Sequence, residues 1–269
     1  MSRELALLFL RKELRDLRTN RQVWAGYLIL PAVVVGVPVL LLALIPAMLA
    51  EGTADAGIRM LFDTVAADPT LRAGTMEQRL AGFFLREGGV LYLLMPIILA
   101  ASTAALSIVR EKEQRTLEPI LATPIGDREL LIAKLIAVLG PPLALTWATA
   151  FVGYGITAAA SALLVDSAVG PTPGNLVALF VLSPALAAAA ALAGIGVSAR
   201  FSDSQAATQF TGLVVVPFAI VVVALLGRPA MKSPLAGLAG TALALGLAAL
   251  LFRRAIARLR REELLTSWR

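Results

Sequence analysis

The chain has 269 residues, of which 58% are hydrophobic and 16% charged, with a net charge of +6. Soluble domains hold roughly 25% charged residues, so this balance excludes an ordinary water-soluble globule and points to lipid-facing helices. Cysteine and histidine are both absent, which excludes disulfides, cysteine nucleophiles, Ser–His dyads and His-ligated metals.

The first 22 residues form an amphipathic stretch. Leu7, Leu10, Leu14 and Leu17 recur at three- and four-residue steps, with Arg11, Lys12, Arg15 and Arg18 between them. That spacing predicts a helix over 1–22 lying in the membrane interface. The run 24–50 follows and is too long for a signal-peptide core of roughly 7–15 residues, so it is expected to be an uncleaved span. Trp24 and Tyr27 at its start are placed as interfacial anchors. Residues 51–88 form the largest loop, with six acids and four arginines, and short helices capping the mouth of the bundle are expected there.

Five further apolar runs cover 89–109, 135–160, 176–199, 210–226 and 234–252, and 253–269 is a basic tail. None of the six runs contains Asp, Glu, Lys or Arg. Each has about the length that crosses roughly 30 Å of hydrocarbon as a helix. The expected fold is therefore an all-α integral membrane protein, a single domain of six transmembrane helices. Helix is required because lipid cannot satisfy an open strand edge. The fifth run is the shortest, and Pro141 and Pro142 predict a kink in the third. Eighteen of the 24 Lys and Arg fall on the side carrying both termini and six on the other. The positive-inside rule then puts both termini in the cytoplasm. Because the basic residues flank apolar runs, the lipid bilayer is the expected partner and nucleic acid is not.

The connection 110–134 reads REKEQRTLEPILATPIGDRELLIAK. Glu111 and Arg115 are an i,i+4 pair, and Leu117, Ile120 and Leu121 share one helical face. Pro124 and Gly126 break the chain, and Asp127 can cap a new helix with Glu129 in its first turn. The pattern is a short amphipathic helix, a turn, and a helix entering the membrane.

The run Glu111 to Glu118, followed by Leu121-Ala122-Thr123-Pro124-Ile125, Glu129-Leu130-Leu131 and Lys134, resembles the signature of type-2 ABC transporter permeases. Arg115 stands where that family often has glycine, and Pro119-Ile120 interrupts a run that is commonly more uniform. The resemblance implies a permease subunit that pairs with a second permease copy, as a homo- or heterodimer, and docks on a separate nucleotide-binding ATPase. It makes Glu111 to Ala122 a coupling helix, with Leu117, Ile120 and Leu121 as anchors and Glu111, Glu113, Arg115 and Glu118 as rim charges. It also implies export, along a path at the permease dimer interface lined mainly by spans two and five.

The chain has no G-x-x-x-x-G-K-[ST] loop, so no cofactor is expected in it; ATP and Mg belong to the partner subunit. An ion-coupled secondary transporter would place an ionisable residue within the bundle, and the six runs hold none, although a sodium site built from carbonyls stays open. A non-transporting scaffold explains the spans but not the 110–122 pattern. Ser102, Thr103, Ser107, Gln209 and Thr211 are candidate pathway residues. The competing reading for each is a hydroxyl or amide bonded to its own or a neighbouring helix.

Overall fold

The computed structural model describes residues 11, 15, 21–51, 56–67, 74–113, 127–166, 170–198, 204–226 and 234–258. Every regular element among them is helical: α1 (Arg21–Glu51), α2 (Ala56–Ala67), α3 (Met76–Glu113), α4 (Asp127–Val165), α5 (Pro173–Val177), a π-helical turn (Ala178–Leu182), α6 (Ser183–Ser198), α7 (Ser204–Leu226) and α8 (Pro234–Arg258). Among the described residues, five stretches are long and apolar enough to cross a membrane: Trp24–Ala50, Met76–Val109, Leu131–Leu164, Pro173–Gly196 and Gly237–Ile256. The fifth apolar run of the sequence lies in α7, where Gln209–Ile220 is a shorter apolar stretch. The predicted interfacial helix falls outside the described residues, apart from Arg11 and Arg15, which are helical.

Two helices start earlier than the apolar runs suggest. α3 begins at Met76 because Thr75 and Gln78 form a reciprocal cap. The Gln78 amide donates to Thr75 Oγ1 at 3.4 Å, and the Thr75 amide donates to Gln78 Oε1 at 3.2 Å. This is the Ser/Thr-x-x-Glu/Gln box that satisfies two orphan donors of a first turn. Gly74, at φ +92°, turns the chain into it. The early start brings Arg86 and Glu87, paired at 3.8 Å, into a membrane-length helix. α4 likewise starts at Asp127, so Lys134 lies two turns inside it. The helix runs unbroken through Pro141 and Pro142.

The chain goes up and down, and the packed clusters show it. At the end carrying the first helix's start and the last helix's end, Ala104 and Ile108 of α3 meet Leu131 and Val138 of α4, Ala191 and Ile195 of α6 and Ala255 of α8. At the far end, Leu42 and Ile45 of α1 meet Val65 of α2 and Leu80, Ala81 and Phe84 of α3. Part of the 51–88 loop is therefore a short helix seated on the far end of the bundle, held by Val65 at full burial. α3 is the central post: 72% of its apolar window is buried inside the bundle, against 22% for α1. Its 38 residues are about 57 Å of continuous helix.

Small residues set the closest approaches. A Cβ placed on Gly194 of α6 would sit 2.6 Å from the Ala101 carbonyl oxygen of α3, so only glycine lets these two backbones meet. On α8, a Cβ on Gly237 would come 3.1 Å from the Val177 side chain, while one on Gly240 would make only ordinary contact with Leu182 at 3.6 Å.

The π-turn has a readable cause. In it the Ser183 amide donates to the Ala178 carbonyl, five residues back. The next donor in that register would be residue 184, a proline without an N–H. The Leu179 carbonyl is thus left over, and two side chains serve it: Ser183 Oγ at 2.6 Å and Trp147 Nε1, from α4, at 3.3 Å.

Candidate functional site

The charged connection between the second and third apolar runs is bounded by two helix ends. α3 runs to Glu113, whose side chain is exposed, and includes the backbone of Glu111. α4 resumes at Asp127. Arg115, Leu117, Glu118, Ile120 and Leu121 lie outside the described residues. Both flanking ends are clamped into the core, since Ile108 of α3 and Leu131 of α4 belong to one buried cluster with α6 and α8. Lys134, one turn further along α4, is 4% exposed. Sequence reading placed this lysine at a span edge, yet its side chain is enclosed by the bundle. A buried ammonium near a helix end needs polar company, and Lys134 does make a polar interaction.

The candidate pathway residues do not share one environment. Thr103 is 1% exposed, and its hydroxyl donates to the Leu99 carbonyl at 2.6 Å, within its own helix. Ser102 and Ser107 are half-buried. On α7, Gln209 is exposed while Thr211 is buried. Other buried hydroxyls follow Thr103: Thr146, Thr157 and Thr241 each donate to the carbonyl four residues back, at 2.8 Å. Self-bonding to the helix is what an apolar medium favours for an isolated hydroxyl.

Polar and aromatic groups that sequence reasoning did not single out gather toward the far end. The rings of Tyr92 of α3 and Tyr154 of α4 meet with centroids 4.9 Å apart and planes tilted by 38°. The Asn175 side chain of α5 packs over Gly89 and faces the Tyr154 hydroxyl. Thr172 caps α5 by accepting from the Asn175 amide at 3.2 Å, with Pro173 at the first helical position. The Tyr92 hydroxyl is buried and has no hydrogen-bond partner among the described residues. It occupies the space that a Cβ on Gly153 would take. The Thr172-Pro173 pair and Pro184 carried signals for the cap and the π-turn; the tyrosine pairing had none.

A model of the ABC-2 family transporter proteins matches residues 7–238. The chain belongs to the ABC-2 transporter family. It is therefore a multi-pass membrane protein of the type-2 ABC permease kind, from a family of transport membrane subunits. No curated protein matches the chain. The family match spans both helices that flank residues 114–126, the π-turn and the whole of α7.

Proposed function

We propose that this ABC-2 permease forms a translocation pathway as a dimer, in export, driven by a separate ATPase that grips residues 110–134. The reading is carried by one observation. The two helices that flank the segment are long and continuous, and one of them is the most enclosed helix of the bundle. A displacement applied between Glu113 and Asp127 is thereby delivered to the core. Close packing transmits it as a rigid-body tilt of α3 and α4 and not as local bending.

In this scheme Glu111 to Ala122 is the coupling helix, with Leu117, Ile120 and Leu121 entering a groove on the ATPase. ATP and Mg are bound by that partner. Both termini face the cytoplasm of the cell membrane, as the excess of basic residues on their side favours. The path runs between two permease copies. From α3 its lining is Ser102 and Ser107, which are half-buried, whereas Thr103 is 1% exposed.

The test is Leu117→Asp. A charge on the anchoring face should abolish co-purification of the ATPase and its stimulated hydrolysis, while the protein still inserts and migrates as the wild type does. Undiminished ATPase capture by that variant would refute the coupling role.

A further inference from the structure

α1 lies against α3 along one stripe. Val34, Pro38, Leu42 and Ile45 recur at three- and four-residue steps, and all are buried. A Cβ on Gly26 would meet Leu99 of α3 at 3.5 Å, and one on Gly88 of α3 would meet Pro38 Cγ at 3.1 Å, so the two helices touch in antiparallel fashion over that length. Of the three prolines inside α1, Pro31, Pro38 and Pro46, only Pro38 is buried. Proline has no N–H, so the Val34 carbonyl, one turn back, loses its helical donor. That carbonyl points along the helix at Pro38, whose ring meets Gly88, and it therefore lies on the side turned to α3. Tyr92 follows Gly88 by one turn of α3, as Val34 precedes Pro38 by one turn of α1. In antiparallel helices the two come level, and both are buried in one cluster. The Tyr92 hydroxyl has no hydrogen-bond partner among the described residues. It and a Val35 methyl crowd the same point, where a Cβ on Gly153 would stand, which sets it beside the peptide that joins Val34 to Val35.

We propose that the Tyr92 hydroxyl and the Val34 carbonyl are the two halves of a latch between α3 and α1, open in this conformation and closed by a small slide of α3 along α1. A buried donor without a partner and a buried carbonyl without its donor are each costly in an apolar medium. One hydrogen bond, donated by the phenol to the carbonyl, satisfies both. The neighbouring polar groups are engaged elsewhere: the Asn175 side chain faces the Tyr154 hydroxyl, and the Gly153 carbonyl accepts from Thr157. Packing holds the latch open here, because the phenol is seated against Gly153 of α4, where only a missing side chain leaves it room. A slide of α3 past α4 takes the hydroxyl off Gly153, and the Val34 carbonyl is the acceptor it then meets. The latch rests on the tilt of α3 and α4 proposed above. It draws α1 into that motion, although α1 is the least enclosed of the five membrane-length stretches described.

The test uses the full chain in lipid nanodiscs, without an ATPase, with Tyr92 replaced by 3-fluorotyrosine. Fluorine NMR with saturation transfer should find a minor state, populated at about 0.1–10%, in exchange with the main one. Pro38→Ala returns an N–H to the Val34 carbonyl and should lower that population at least about fivefold, as the loss of one net hydrogen bond does. Replacing Tyr92 by 3-fluorophenylalanine removes only the hydroxyl and should abolish the minor state, which keeps the test decisive if Pro38→Ala folds poorly. A spectrum with no minor state would overturn the latch. So would a minor state that survives in the fluorophenylalanine protein, since ring flipping alone would then explain it, or one that a folded Pro38→Ala protein leaves unchanged. None of these spectra depends on Leu117 or on ATPase capture, so the latch and the coupling role can each fail alone.

Discussion

Gly194 offers a sharp test of how this bundle is held together. Its missing side chain lets α6 press on the Ala101 carbonyl of α3, the central helix. In Gly194→Ala the new methyl would lie 2.6 Å from a backbone oxygen. To reach ordinary contact, the helices must part by about 0.8 Å, and overpacking of this kind costs about 1–3 kcal/mol. Alanine's better helix propensity returns up to about 1 kcal/mol. The net expectation is a loss of about 0–2 kcal/mol, and a larger one for Gly194→Val. Gly196, half a turn on, has nothing within 4 Å of its Cβ direction. Gly196→Ala meets no opposing atom and should be neutral or stabilising by up to about 1 kcal/mol. The two alanine variants therefore differ in sign of effect for one shared chemical change. Reversible unfolding in mixed micelles, read by circular dichroism, gives both values. Equal effects, or the reverse order, would refute a close α3–α6 contact at Gly194.

Trp147→Phe removes one of the two donors to the orphaned Leu179 carbonyl and should cost about 0.5–1.5 kcal/mol in the same assay. Combined with Ser183→Ala it should cost more than the two single changes summed, because the carbonyl is then left without either donor. Tyr92→Phe deletes a buried hydroxyl that has no partner among the described residues, so it should be neutral or stabilising by about 1 kcal/mol. It should also rescue part of the loss in Gly153→Ala, since the clash there is with that hydroxyl; a double-mutant cycle measures the coupling. The purified chain alone should hydrolyse ATP no faster than background in a phosphate-release assay, and clear turnover would overturn the division of labour with a partner ATPase.

Much of the architecture was legible in one dimension. Long runs without charge can only be membrane helices, because lipid forbids unpaired backbone and water forbids exposed hydrocarbon. The charged signature after the second run resembles that of the family, and the family match over residues 7–238 bears the resemblance out. Helix starts were less legible. Thr75-Met76-Glu77-Gln78 holds the cap signal, but hydropathy puts the start of the second apolar run at Gly89, which leaves Arg86 and Glu87 before it and Lys134 at the edge of the third. The candidate pathway residues were identified as polar within spans, and only their surroundings separate Thr103, enclosed and self-bonded, from exposed Gln209.

Sequence alone determined that this is an all-helical membrane protein of the ABC-2 kind, and roughly where its apolar crossings lie. Tertiary structure decided that α3 stands at the centre, that Gly194 faces the Ala101 carbonyl, that Trp147 reaches the carbonyl freed by Pro184, and that a groove opens beside Gly240. The physical reason is the solvent. In water, a helix advertises its buried face by contrast with a polar one, whereas in a bilayer both faces are apolar. Ala- and Leu-rich spans therefore carry almost no record of which side meets protein and which meets lipid, and only the packing itself assigns them.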